Sequence, residues 1–163
     1  MVNKIEYKGK FVYHPGYYLE KMIIKLRITI NDLAYCLDMK EDRLKEILFD
    51  NGRIELEDSI KLGRLFGVVE DYWLNLQLDY DRIMIKMKLD EDYEVEKKIM
   101  KFIDYKELSE EYDLLDTNDL DKQILILRDF LNVVSLSVII GSKENFDKDE
   151  IKSIVQRLIH SNK

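Results

Sequence analysis

LAYCLDMKEDRLKEIL, residues 33–48, is the stretch whose reading decides the fold. Its apolar residues Leu33, Leu37, Met39, Leu44 and Ile47 fall where two short helices joined by a tight turn bury their inner faces against a third. Ala34 sits at the crossing, where a small side chain lets the next helix come close. The turn residue, Asp38, tolerates a left-handed backbone better than most. The spacing predicts a helix-turn-helix, a unit that lays its second helix in the major groove of DNA with its first residues at base edges. Yet the residues in that place, KEDRLKE (40–46), carry as many acids as bases.

Outward from this stretch the chain keeps a helical pattern. Thr29 is placed to cap the second helix, with Asp32 three residues on as the partner of a capping box. That helix is expected to run to about Leu37, and the third from about Lys40 to Phe49, closed by Asp50-Asn51-Gly52. Upstream, HPG (14–16) punctuates the chain before a first helix whose Leu19, Met22, Ile23 and Leu26 share a face. Residues 1–13, containing IEYKGKFVY, alternate and suggest an arm or short strand. A fourth helix is expected from about Glu57 to Phe66, ending at Gly67. A fifth starts near Glu70 and carries Tyr72, Trp73, Leu76, Leu78 and Tyr80 toward Ile85, with Tyr72, Trp73, Leu76 and Tyr80 read as core of the domain in preference to a dimer surface. KLDEDYEVEKK (88–98) reads as a boundary or the exposed start of a sixth helix. Further helical stretches follow at about 95–103, 105–112, 121–132 and 147–160, broken at DTND (116–119) and GSKEN (141–145). The expected organisation is an arm over 1–13, a helix-turn-helix domain over 14–87 and a helical extension over 88–163.

Composition agrees with an all-α protein. Of 163 residues, 46% are apolar and 36% charged, and one proline and six glycines leave few helix breakers. The net charge of −7 gives no global nucleic-acid footprint, so DNA binding must rest on a local patch or on a dimer. The single cysteine, Cys36, excludes an internal disulfide and fits a reducing cytoplasm; it is expected to be small and partly buried. No apolar run has membrane-spanning length, and MVNKIEYKGK lacks the character of a signal peptide.

HPGYYLEKMIIKLRITINDLAYCLDMKEDRLKEIL, followed by the W-L-N-L-Q segment in DYWLNLQLDYD (71–81), resembles the HigA antitoxin branch of the XRE helix-turn-helix regulators over about residues 12–82. The resemblance implies a five-helix, lambda-repressor-like DNA-binding domain. It further implies a homodimer that represses its own toxin–antitoxin operon, with a toxin as protein partner. Residues 100–137 faintly resemble the middle segment of longer XRE regulators, some of which continue into a zinc peptidase-like domain. No H-E-x-x-H is present, so no peptidase activity carries over.

Mapped onto this motif, the base-facing candidates are Lys40, Glu41, Asp42, Arg43 and Lys45, with Glu46 beside them. Thr29, Asn31 and Arg53 are the candidates for DNA-backbone contact, and Lys25, Arg27, Lys61 and Arg64 could flank the duplex. Lys and Arg suit guanine edges and phosphate; Glu and Asp can accept from cytosine but repel the backbone. Over 40–53, Lys40, Arg43, Lys45 and Arg53 are balanced by Glu41, Asp42, Glu46 and Asp50, so the patch loses most of its sequence-independent attraction to phosphate. His14 is expected to order the loop before the first helix and His160 to lie on the surface. Two histidines without ligand spacing suggest no metal, and no nucleophile elbow or phosphate-binding glycine loop suggests catalysis or a cofactor. A second class of function fits the acids and the net charge. It is a protein-binding module, such as a toxin-neutralising, phage- or defence-related inhibitor, that keeps the scaffold without reading DNA.

Overall fold

The computed structural model describes residues 4–141, 143 and 146–161. Within them the chain is mostly helical, with one two-stranded sheet. Of the arm expected over 1–13, the break expected over 141–145 and the extension expected over 88–163, residues 1–3, 142, 144, 145, 162 and 163 lie outside the described residues. Two compact units divide the chain, residues 1–87 and 88–163, and the division falls inside one helix.

The first unit opens with a hairpin. β1 (Lys4–Tyr7) pairs antiparallel with β2 (Lys10–Tyr13), placing Ile5 opposite Val12. Lys8 and Gly9 both adopt positive φ, 49° and 76°, the backbone twist that a two-residue hairpin turn requires. Tyr13 stacks on Tyr17 at 4.4 Å between ring centroids, which seats the hairpin on the next element.

That element, α1 (Pro15–Leu26), shows what the HPG punctuation does. Buried His14 caps the helix, its Nδ1 accepting from the Gly16 amide at 3.1 Å, and Pro15 occupies the first helical position, where no donor is lost. Gly16 lies against the end of α3 (Glu41–Phe49): a methyl group there would meet the Ile47 carbonyl oxygen at 2.2 Å. Leu19 is buried on the inner face, while Leu26, expected on that face, is half exposed because α1 ends there with Arg27 in the left-handed region.

α2 (Ile30–Cys36) and α3 form the predicted pair, and Asp38 between them has φ 46°, the left-handed turn its residue type allows. α4 (Leu56–Phe66) ends on Gly67 at φ 68°. Leu33, Ala34, Leu37, Leu44, Ile47, Leu62 and Trp73 fill one core. A fully buried leucine contributes roughly 1.5–3 kcal/mol, so this cluster holds the unit together.

α5 runs from Tyr72 to Met100, well beyond the end expected near Ile85, and it absorbs the stretches separated in sequence at 88–98 and 95–103. Residues 84–92 of α5 are mostly exposed. Amphipathic periodicity vanishes there because no face is buried, while breaker-free Lys, Glu, Asp and Leu sustain the helix. α6 (Tyr105–Tyr112), α7 (Leu120–Phe130), a 3-10 turn (Leu136–Ile139) and α8 (Lys148–Ser161) complete the second unit around Ile99, Ile124, Leu127, Leu136 and Ile151. Inside it, fully buried Glu96 accepts from the Arg128 guanidinium, from Ser135 Oγ at 2.9 Å and from the Leu136 amide at 2.7 Å. A buried carboxylate is tolerated when it is paired and hydrogen-bonded in this way.

Candidate nucleic-acid interface

The α2–α3 pair presents its motif through one capped and one uncapped helix start. Thr29 Oγ1 accepts from the Asp32 amide at 3.1 Å while the Asp32 carboxylate reaches back to Thr29, a complete capping box. Thr29 and Asn31 are both exposed at the start of α2. The Thr29 hydroxyl also donates to Asp32 at 2.7 Å, so it is already engaged inside the protein. At the start of α3, Lys40 is exposed and makes no capping hydrogen bond, and Glu41 and Asp42 occupy the first turn. Acids there complement the positive end of the helix dipole, which gives them a reason to be present independent of any ligand.

The cations of this face are not equally available. Lys45 is 2.6 Å from Glu41, one turn back on α3, and Lys61 is 2.7 Å from Glu57 on α4. Arg64 pairs loosely with Glu70 at 3.5 Å. Lys61 also donates to the Asp38 carbonyl at 2.7 Å, whereas exposed pairs such as Lys45–Glu41 and Arg64–Glu70 are worth little and exchange readily for solvent or phosphate. Arg53 reaches across to Asp81 on α5 at 2.7 Å, with its own side chain largely exposed. Arg43 differs from all of these. Its guanidinium meets Glu46 at 2.6 Å, Asp58 at 2.7 Å and the Arg53 carbonyl, and the Asp58 side chain is only 10% exposed. Among the described residues, Lys40, Lys25 and Arg27 carry no ion pair. An open concavity between the starts of α3 and α4 is lined by Lys40 and Lys61 but also by Asp38, Glu55 and Glu57.

A second polar layer lies behind this face. Asp58 is buried, and its carboxylate also accepts from the Glu55 amide at 2.9 Å, the start of a capping box for α4. Gln77 is buried in the W-L-N-L-Q segment, where its Oε1 accepts from the Ile54 amide at 3.0 Å and its Nε2 donates to Asp81 at 2.9 Å. Sequence reasoning did not single out Asp58, Gln77 or Asp81. The E-x-x-D spacing of Glu55 and Asp58 was the available signal for the first; the contacts of Gln77 and Asp81 with residues 53 and 54 span more than twenty positions and leave no local signature.

Trp73 is fully buried and Tyr80 nearly so, with Tyr72 and Leu76 packed at the edge of the core, while Leu78 faces outward. Cys36, expected to be partly buried, is exposed, because in the last turn of α2 it falls just outside the edge of the Leu33–Ala34–Leu37 stripe. His160 is exposed on α8. Among the described residues no cluster of His, Cys, Asp and Glu has the geometry of a metal site, and no helix is long and apolar enough to cross a membrane.

No protein-family model matches the chain. Over 62 residues, 38% of its length, it is 36% identical to an uncharacterized HTH-type transcriptional regulator of Haemophilus influenzae. Over 69 residues, 42% of its length, it is 32% identical to virulence-associated protein I of Dichelobacter nodosus; the matched stretches cover 58% and 64% of these two relatives, so the chain spans less than two thirds of the length of either. Among solved structures, a protein described as an antidote of a plasmid maintenance system from Nostoc punctiforme superposes on 51% of this chain and 91% of its own, with 26% identity and a TM-score of 0.50. An addiction module antidote of a HigA family from Coxiella burnetii is 32% identical over 51% of this chain and 91% of its own, with a TM-score of 0.46.

Proposed function

We propose that this chain, whose N-terminal half is a HigA-like helix-turn-helix domain, is a DNA-binding transcriptional regulator that serves as the antidote of a toxin–antidote pair and represses its own operon. The observation that carries the reading is the docked α2–α3 pair, whose α3 starts at an exposed turn with Lys40 unpaired and Lys45 held only by a surface pair. The regulator from Haemophilus influenzae and the antidote from Nostoc punctiforme support it.

In this function Lys40, Glu41, Asp42 and Lys45 face base edges, and Thr29, Asn31 and Arg53 approach the DNA backbone. A homodimer places two copies of α3 in successive major grooves about 34 Å apart. The protein works in the cytoplasm, without catalysis and without a cofactor, and a toxin is its protein partner. The decisive experiment is binding of the full chain to a duplex from its own promoter across a salt series. Affinity that falls steeply with salt and exceeds that for random DNA supports the regulator.

One observation favours a second reading. Arg43, Lys45, Arg53 and Lys61 all meet carboxylates of the same unit, which leaves the face with little free positive charge. A protein-binding module that keeps the scaffold would retain a co-purifying partner and bind no DNA even at low salt.

A further inference from the structure

We infer that Arg43 is a positioning residue of the DNA-reading helix rather than one of its base contacts. It ties α3 to the start of α4 and so fixes the aim of the residues that read. The inference rests on the regulator reading and goes beyond it.

Three facts carry it. The guanidinium is satisfied on several sides at once, by Glu46 on its own helix, by Asp58 on α4 and by the carbonyl of Arg53 in the connection between them. A planar fork matches such a set of acceptors, whereas a lysine ammonium offers a single point charge. The principal acceptor, Asp58, has a side chain only 10% exposed, so salt screens this pair far less than the Lys45–Glu41 pair on the surface. Asp58 is also anchored from behind, because its carboxylate holds the Glu55 amide at the N-terminus of α4.

To reach a guanine edge, Arg43 would have to release these acceptors and leave the buried Asp58 carboxylate without its cation. Lys40 and Lys45 face no such obstacle. The tie continues away from α3: Arg53 pairs with Asp81, Asp81 accepts from Gln77, and Gln77 holds the Ile54 amide. The helix that reads is thereby braced, through the 53–58 connection, to α4 and to the first part of α5.

The test compares the full-length wild type with Arg43→Ala, Arg43→Lys, Asp58→Asn and the Arg43→Ala/Asp58→Asn double variant. Asparagine at 58 keeps an acceptor for the Glu55 amide and removes the charge that holds Arg43. Each protein is titrated with a duplex from the promoter upstream of the gene and with a random duplex of equal length, at several salt concentrations. Trp73 fluorescence establishes that each variant is folded at the assay temperature.

A positioning role predicts that Arg43→Ala and Asp58→Asn each weaken promoter binding by about tenfold, and that the double variant loses no more than either single one. The slope of log affinity against log salt stays at its wild-type value, because no phosphate contact has gone. Lysine at 43 does not restore binding. A contact role predicts a different set of results. Arg43→Ala would lower the magnitude of the slope by about 0.9 if the residue sits on phosphate. Asp58→Asn, which frees the arginine, would bind promoter DNA as well as wild type or better. Either result, or additive losses, overturns the inference. A wild-type chain that binds neither duplex at low salt overturns the regulator reading, and the inference with it. A wild type that binds while the variants behave as contacts overturns the inference alone.

Discussion

Replacing Gly16 by alanine sets two effects against each other. In a helix alanine is the better former by about 1 kcal/mol, so local propensity alone predicts a gain. The added methyl, however, would lie 2.2 Å from the Ile47 carbonyl oxygen and 3.2 Å from its carbon. A carbon–oxygen contact relaxes at roughly 3.3–3.6 Å, so the start of α1 and the end of α3 must part by about 1 Å. The obstacle is backbone and cannot rotate out of the way. Parting the two helices opens the contacts of buried Leu19, Leu44 and Ile47 together. Overpacking of this kind costs about 1–3 kcal/mol, which leaves a net loss of about 0–2 kcal/mol after the propensity gain. For a unit of this size that lowers Tm by as much as about 15 °C. Trp73 is the only tryptophan and is fully buried in the same core, so its fluorescence reads the transition. Gly67→Ala is the control: Gly67 has φ 68° with no atom within 4 Å, and its substitution costs only the left-handed penalty, about 1–2 kcal/mol. A Gly16→Ala chain that melts above the wild-type temperature, as propensity alone predicts, would refute the close approach of α1 to α3.

Thr29→Ala removes the α2 cap and should cost about 1 kcal/mol, while Thr29→Asp keeps the cap and should weaken only DNA binding, through charge; equal stability of the alanine variant and wild type in thermal melts would count against the capping box. Burial by itself pushes the Glu96 carboxyl up, but the Arg128 guanidinium, the Leu136 amide and Ser135 together hold it below its ordinary 4.5. Its stabilisation is therefore fully present above pH 4.5 and is lost as pH falls through the depressed folded value, and Glu96→Gln should cost about 3 kcal/mol at neutral pH by circular dichroism. Burial holds His14 below its ordinary 6.5, with Asp81 and Gln77 pulling partly the other way. The stability of the first unit should thus be highest above pH 6.5 and fall as pH drops toward the folded value; His14→Asn, which can still cap α1, should flatten that dependence in Trp73 fluorescence melts.

What the sequence disclosed and what it hid follow one physical line. The helix-turn-helix was legible because its determinants are local: a capping pair three residues apart at Thr29 and Asp32, a turn residue suited to positive φ at Asp38, and apolar residues at helical spacing. The length of α5 was not legible, because periodicity reports a buried face and residues 84–92 have none. Of the candidate interface, residue types and helix position were readable, and Lys40 and Lys45 lie on the surface as α3 presents them. The engagement of Arg43 was hidden, since its partner Asp58 is fifteen residues away on another helix and the pairing depends on how the two helices meet. Cys36 shows the same limit: one residue of drift around α2 separates the buried stripe from solvent.

Asp58 answers to two demands at once, as acceptor for the start of α4 and as counter-charge for α3. Its identity is therefore tied to that of a residue fifteen positions earlier. Where position 43 holds a small or neutral residue, serine, threonine or asparagine at 58 would meet the first demand equally well. Where position 43 is arginine, only an acid meets both. Related sequences should thus change these two positions as a pair, and a substitution at one should be found tolerated chiefly on backgrounds that have already changed the other.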